Sequence, residues 1–150
     1  MKKDCQVIPV GGVVLILLVT TTLLHAYAPD TLWTRTYGGA DLDRGDCVQQ
    51  TSDGGYIIVG STASFGIYVD IYLIKTDSLG NTIWTQTYGD SGCDCGHSVK
   101  QTIEGGYVIV GSRWDTTGGY EDLAYLIKTN SDGDTLWTRT FFVAGAQSVQ

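Results

Sequence analysis

The chemically densest stretch of the chain is Cys93-Asp94-Cys95-Gly96-His97. In an extended segment alternate residues point the same way, so Cys93, Cys95 and His97 would present two thiols and an imidazole to one side. That donor set suits zinc or copper. A fourth ligand is not evident, and no second cysteine pair stands at finger-like spacing. Cys47 opens a second chemistry. In an oxidising compartment thiols tend to pair, and a bridge from Cys47 to Cys93 or Cys95 would tie together equivalent strands of successive repeats. Cys93 and Cys95 are too close along an extended chain to bridge each other easily. Free thiols are the third reading. A different chemistry attaches to Trp114, which lies between Arg113 and Asp115 in a variable loop. An exposed aromatic there could meet a carbohydrate or a protein ligand.

Catalytic sets are missing. Beyond the N-terminal segment His97 is the only histidine. No Ser-His-Asp order, phosphate-binding glycine loop or His-Glu-x-x-His occurs. Asp41 with Asp43, and Glu121 with Asp122, read as solvated loop acids rather than acid–base pairs. Asp77-Ser-Leu-Gly-Asn81 and Asn130-Ser-Asp-Gly-Asp134 have some calcium-ligand character. A calcium loop wants more carboxylates and a closing Glu, and hairpin turns call for the same residues. No catalytic residue and no cofactor is expected.

These residues are positioned by a repeat. Trp33, Trp84 and Trp137 are spaced 51 and 53 apart, each within a Thr-rich strand. Between them Val48-Gln-Gln-Thr-Ser-Asp-Gly-Gly-Tyr-Ile-Ile-Val-Gly-Ser61 matches Val99-Lys-Gln-Thr-Ile-Glu-Gly-Gly-Tyr-Val-Ile-Val-Gly-Ser112. Tyr72-Leu-Ile-Lys-Thr76 likewise matches Tyr125-Leu-Ile-Lys-Thr129. A period near 50 with several strands per unit is a propeller-type signature. Each unit predicts four strands: Cys47 to Thr51 (Ser98 to Thr102), Tyr56 to Ser61 (Tyr107 to Ser112), Asp70 to Thr76 (Asp122 to Thr129), and the Trp strand. Asp-Gly and Gly-Gly pairs join them because glycine tolerates positive φ. Tyr56-Ile-Ile-Val-Gly60 is apolar on both alternating faces. That suits a sheet covered on both sides, not one wetted on one side.

The expected fold is therefore all-β, with tandem four-stranded antiparallel propeller-type blades over residues 29–150. Blades 45–89 and 96–141 are complete; residues 30–38 and 145–150 supply partial strands. Closed propellers use four to eight blades, so two cannot close a ring. The chain is expected to be a piece of a longer product or to assemble with copies of itself.

The repeats Asp53-Gly-Gly-Tyr-Ile-Ile-Val-Gly60, Asp70-Ile-Tyr-Leu-Ile-Lys-Thr-Asp77 and Gly80-Asn-Thr-Ile-Trp-Thr-Gln-Thr-Tyr-Gly89 resemble those of secreted bacterial β-propeller proteins. The resemblance implies a multi-blade protein displayed through a C-terminal sorting domain, of which this chain is expected to be a truncated piece. The Gly-x-x-x-Trp hairpin also looks like the docking hairpin of quinoprotein-type propellers, without their cofactor ligands. That likeness implies fold alone.

Lys2 and Lys3, the apolar run from Val10 to Leu24, and Ala26-Tyr-Ala28 together make residues 1–28 a secretory signal peptide or N-terminal anchor. The run is about 15 residues, short for a helix that must cross a bilayer. Pro29 after Ala28 argues against cleavage there and favours Ala26 or retention. Beyond this segment nothing points to a membrane. The net charge of −7 and scattered basic residues exclude the cationic stripe that nucleic acid requires. The function expected is an exported, non-enzymatic propeller segment acting as a binding or structural scaffold at the cell surface or outside. The alternative is a fragment of a larger propeller enzyme, hydrolase or quinoprotein-like, whose catalytic residues lie outside the chain. Ligand contacts are expected at Thr62 to Val69, Asp90 to Cys95 and Arg113 to Glu121.

Overall fold

The structure is a computed structural model that describes residues 30–115 and 121–142. The signal-peptide segment and the partial strand at 145–150 lie outside the described residues. The described residues form eight strands: β1 (Asp43–Gln50), β2 (Tyr56–Thr62), β3 (Asp70–Thr76), β4 (Thr82–Tyr88), β5 (Asp94–Gln101), β6 (Tyr107–Asp115), β7 (Glu121–Thr129) and β8 (Thr135–Phe142). They form two four-stranded antiparallel sheets, ordered β1-β2-β3-β4 and β5-β6-β7-β8.

The turns explain the meander. Thr51 N–H donates to Gly55 O, and Gly54 N–H to Thr51 O, both at 2.9 Å. Gly54 takes φ +83°, where a side chain would be strained. Thr102 and Gly105 repeat this turn. Between β3 and β4, Asp77 Oδ1 accepts the N–H groups of Leu79 and Asn81, each at 2.8 Å. Asn130 Oδ1 does the same for Asp132 and Asp134 between β7 and β8. These side-chain oxygens are engaged by the backbone, as in hairpin turns.

The first strand of each unit begins four residues before its expected start. A register shift at Gly45/Cys47, and its counterpart at Gly96/Ser98, lets the ladder continue through a bulge to Asp43 and Asp94. The β6–β7 hairpin is also longer than expected, since Trp114 and Asp115 pair with Asp122 and Glu121.

Cross-strand registers place Cys47, Ile57, Val59, Ile71, Leu73, Trp84 and Tyr88 on one face of the first sheet. Facing them from the second sheet are Val99, Tyr107, Ile109, Tyr125 and Ile127, and together these side chains make the core. Ile57, Val59, Ile71 and Leu73 are fully buried. Removing each from water contributes about 1.5–3 kcal/mol. β5 crosses β1, β2 and β3 at this interface. Its close approach depends on Gly96, where a Cβ would stand 2.5 Å from Val59 Cγ2 and 2.9 Å from Gly60 O. Lys75 is buried at the end of this face, and its Nζ donates to Asp53 Oδ2 at 2.8 Å and to Thr76 O at 2.9 Å.

Residues 30–38 form no strand ladder among the described residues, unlike the lone fourth strand expected. They nevertheless make a fourth strand's contacts. Trp33 meets Tyr56 edge-on at 5.7 Å and 63°. Tyr37 Oη donates to Gly80 O at 2.8 Å. Trp84 meets Tyr107 at 5.9 Å and 66°, and Tyr88 Oη donates to Gly133 O at 2.7 Å. The sequence repeat is thus also a repeat of inter-sheet contacts.

Candidate functional site

Two places hold the residues with chemistry. One is the face of the second sheet turned away from the first. The other is the edge where β3 and β5 begin.

On the outward face the register sets Cys95 opposite Ser112 and continues to Val108, Val110, Leu126, Lys128, Trp137, Arg139 and Phe141. Val110, Trp137 and Phe141 are 45%, 40% and 53% exposed. Their counterparts in the first sheet, Val59, Trp84 and Tyr88, sit in or against the core. The same apolar face is therefore covered in one sheet and open in the other.

The metal reading, one of three for this stretch, requires Cys93, Cys95 and His97 to converge. Cys95 belongs to the outward face, and His97 reaches it as the bulge residue, its Nε2 hydrogen-bonded to Ser112 Oγ at 3.2 Å. Cys93 is exposed ahead of β5, and its carbonyl accepts Trp114 N–H at 3.0 Å. Among the described residues no three His, Cys, Asp or Glu side chains gather to hold an ion. The bulge that carries His97 breaks the simple alternation on which convergence rested. Cys47, Cys93 and Cys95 are free thiols. Cys47 points into the inter-sheet core while Cys95 faces away from it, so the sheet backbone separates them.

Arg113, Trp114 and Asp115, read as a variable loop, close strand β6. They are strand residues rather than loop residues, so Arg113 and Trp114 take opposite faces. Arg113 pairs with Asp90 and lies 5.4 Å from the Tyr125 ring centroid, on the side of the first sheet. Trp114 is 40% exposed on the outward side. Asp115 is placed by its backbone pairing with Glu121 alone.

Three carboxylates at the strand starts matter more than sequence reasoning gave them. Asp43, read as a solvated loop acid, opens β1. It accepts from Thr62 Oγ1, from Ser64 Oγ at 2.8 Å and from Gly39 N–H at 2.7 Å. The Thr62 hydrogen bond, more than any other contact, holds its pKa below the usual range. Asp94 occupies the same place in β5, yet it is fully buried, and its Oδ1 has no hydrogen-bond partner. Its Oδ2 receives one long bond, from Asp90 N–H at 3.3 Å. Burial, with Asp70's charge second, pushes the Asp94 carboxyl up to about 6. Asp70, at the start of β3, is also raised by burial, and its Oδ1 is likewise unpartnered. The signal that could have found Asp43 and Asp94 is their shared distance before a repeated glycine, Gly45 and Gly96.

A scan against protein-family models matched none, and a search of curated proteins gave no match either.

Proposed function

We propose that this chain is an exported, non-enzymatic β-propeller repeat segment. It acts as a binding or structural scaffold at the cell surface or outside the cell, and its sheets stack as blades. The observation that carries the reading is the repeated interface: Trp33 and Tyr37 touch the first sheet as Trp84 and Tyr88 touch the second. A face whose counterpart is buried by a neighbouring sheet is built to receive another such sheet. The apolar outward face of the second sheet therefore takes a further copy of the same repeat, as solenoids and propellers require of their inner units.

The test is Val110→Lys in the native product. A covered face would be left holding a buried, unpaired ammonium, and unfolding would become easier by about 3 kcal/mol or more. A solvated face would accept the change within about 0.5 kcal/mol, and that result would end the stacking account.

A further inference from the structure

The two copies of the repeat treat one carboxylate differently. At Asp43 the protein supplies three donors: the hydroxyls of Thr62 and Ser64 and the Gly39 N–H. In the second unit the position of Thr62 is held by Arg113, and that of Ser64 by Asp115. The Arg113 guanidinium is taken up by Asp90 and the Tyr125 ring. Asp94 is left with one long N–H bond, and instead of gaining a donor it gains a second acid. A Cβ on Gly89 would collide with Asp70 Oδ1 and stand 2.8 Å from Asp94 Oδ2, so both carboxylates crowd the space over that glycine. Asp94 is 0% exposed, and both aspartates carry a buried oxygen with no donor.

Two such carboxylates cannot both stay ionised unless positive charge reaches them. We infer that Asp70 and Asp94 bind a calcium ion at the edge between the two sheets, one carboxylate coming from β3 and the other from β5. Calcium is the fitting cation because it takes six to eight oxygens in irregular geometry and accepts backbone carbonyls and water beside a few carboxylates. Magnesium demands stricter octahedral geometry, and zinc prefers nitrogen and sulfur. The ion would clip the sheets together where the first unit holds Asp43 with the hydroxyls of Thr62 and Ser64 and the Gly39 N–H. Glycine at 89 keeps the space open; any side chain there would displace the Asp70 carboxylate.

The experiment is a thermal melt of the full chain, stripped with chelator at pH 7.5 and titrated with calcium chloride, beside calorimetric titration of the same sample. Calcium at a hundred-fold excess over Kd should raise Tm by roughly 10 °C. Asp70→Asn should abolish that rise, yet melt above the wild type in chelator because the repulsion is gone. Asp43→Asn should leave the calcium response intact. The calorimetric heat on the wild type stands even if the Asp70 variant fails to fold. Absence of both the heat and the Tm rise would overturn the assignment.

Discussion

Gly96→Ala should weaken the seating of the second sheet on the first, whereas the same change at Gly45 should not. The two glycines are equivalent in the repeat, and neither has positive φ, so backbone strain does not separate them. Their surroundings do. An added methyl on Gly96 would stand 2.5 Å from Val59 Cγ2, and 2.9 Å from both Gly60 O and Ile71 Cγ2. The Gly60 carbonyl is in the middle of a strand and cannot swing away, so β5 must move outward. Overpacking of this kind costs about 1–3 kcal/mol. The restricted unfolded chain returns about 0.4–1 kcal/mol of that. The net expectation for Gly96→Ala is a loss of about 1–2 kcal/mol. A methyl on Gly45 meets only Ile58 Cγ2, at 3.8 Å, an ordinary contact. Gly45→Ala should therefore gain a few tenths of a kcal/mol from the unfolded-state effect. The assay is urea unfolding of the full chain followed by tryptophan fluorescence, since Trp84 lies in the affected interface. Equal midpoints for the two variants would refute the inter-sheet packing described above.

Other consequences follow from single contacts. Tyr88→Phe removes the hydroxyl that reaches Gly133 O and should cost about 1 kcal/mol in urea melts. Asp53→Ala leaves the buried Lys75 ammonium without its carboxylate. It should cost about 1–2 kcal/mol, less than for a fully buried pair because Asp53 is largely exposed. Glu104→Ala, at the equivalent pair with Lys128, should cost clearly less, since that pair is longer, at 3.5 Å, and its lysine less buried. The Lys75 hydrogen bond, with those of Thr51 and Gly55, holds the Asp53 carboxyl well below the usual range. The stability it contributes is therefore present at neutral pH and lost as pH falls below about 4. Asp53→Asn should flatten that acid limb, and an unchanged pH profile would contradict the pairing.

Much of the fold was legible because its signals are local and occur twice. Glycines at turn positions, both-face apolar strands and the Trp strand each mark the same element in both units. The strand starts were not legible. Asp43-Arg-Gly45 and Asp94-Cys-Gly96 carry no apolar alternation, and the ladder passes through them by a bulge that glycine permits. The alternation assumed for Cys93-x-Cys95-x-His97 fails there, because the bulge falls at His97. The length of β6 was hidden for a similar reason: Arg113, Trp114 and Asp115 look like loop residues until their pairing with β7 is known. Asp70 and Asp94 could not be connected in advance. Their proximity depends on where β5 lies against the first sheet, which strand patterns alone do not specify.

The measurement that bears most directly on the scaffold reading is the intact mass of the native product together with its sedimentation behaviour at equilibrium. Stacked repeats predict that the outward face bearing Val110, Trp137 and Phe141 is covered. The product should then either be longer, with further repeats, or be the 150-residue chain, less any cleaved signal, sedimenting as an oligomer. A product of that length that sediments as a stably folded monomer at every concentration would contradict it.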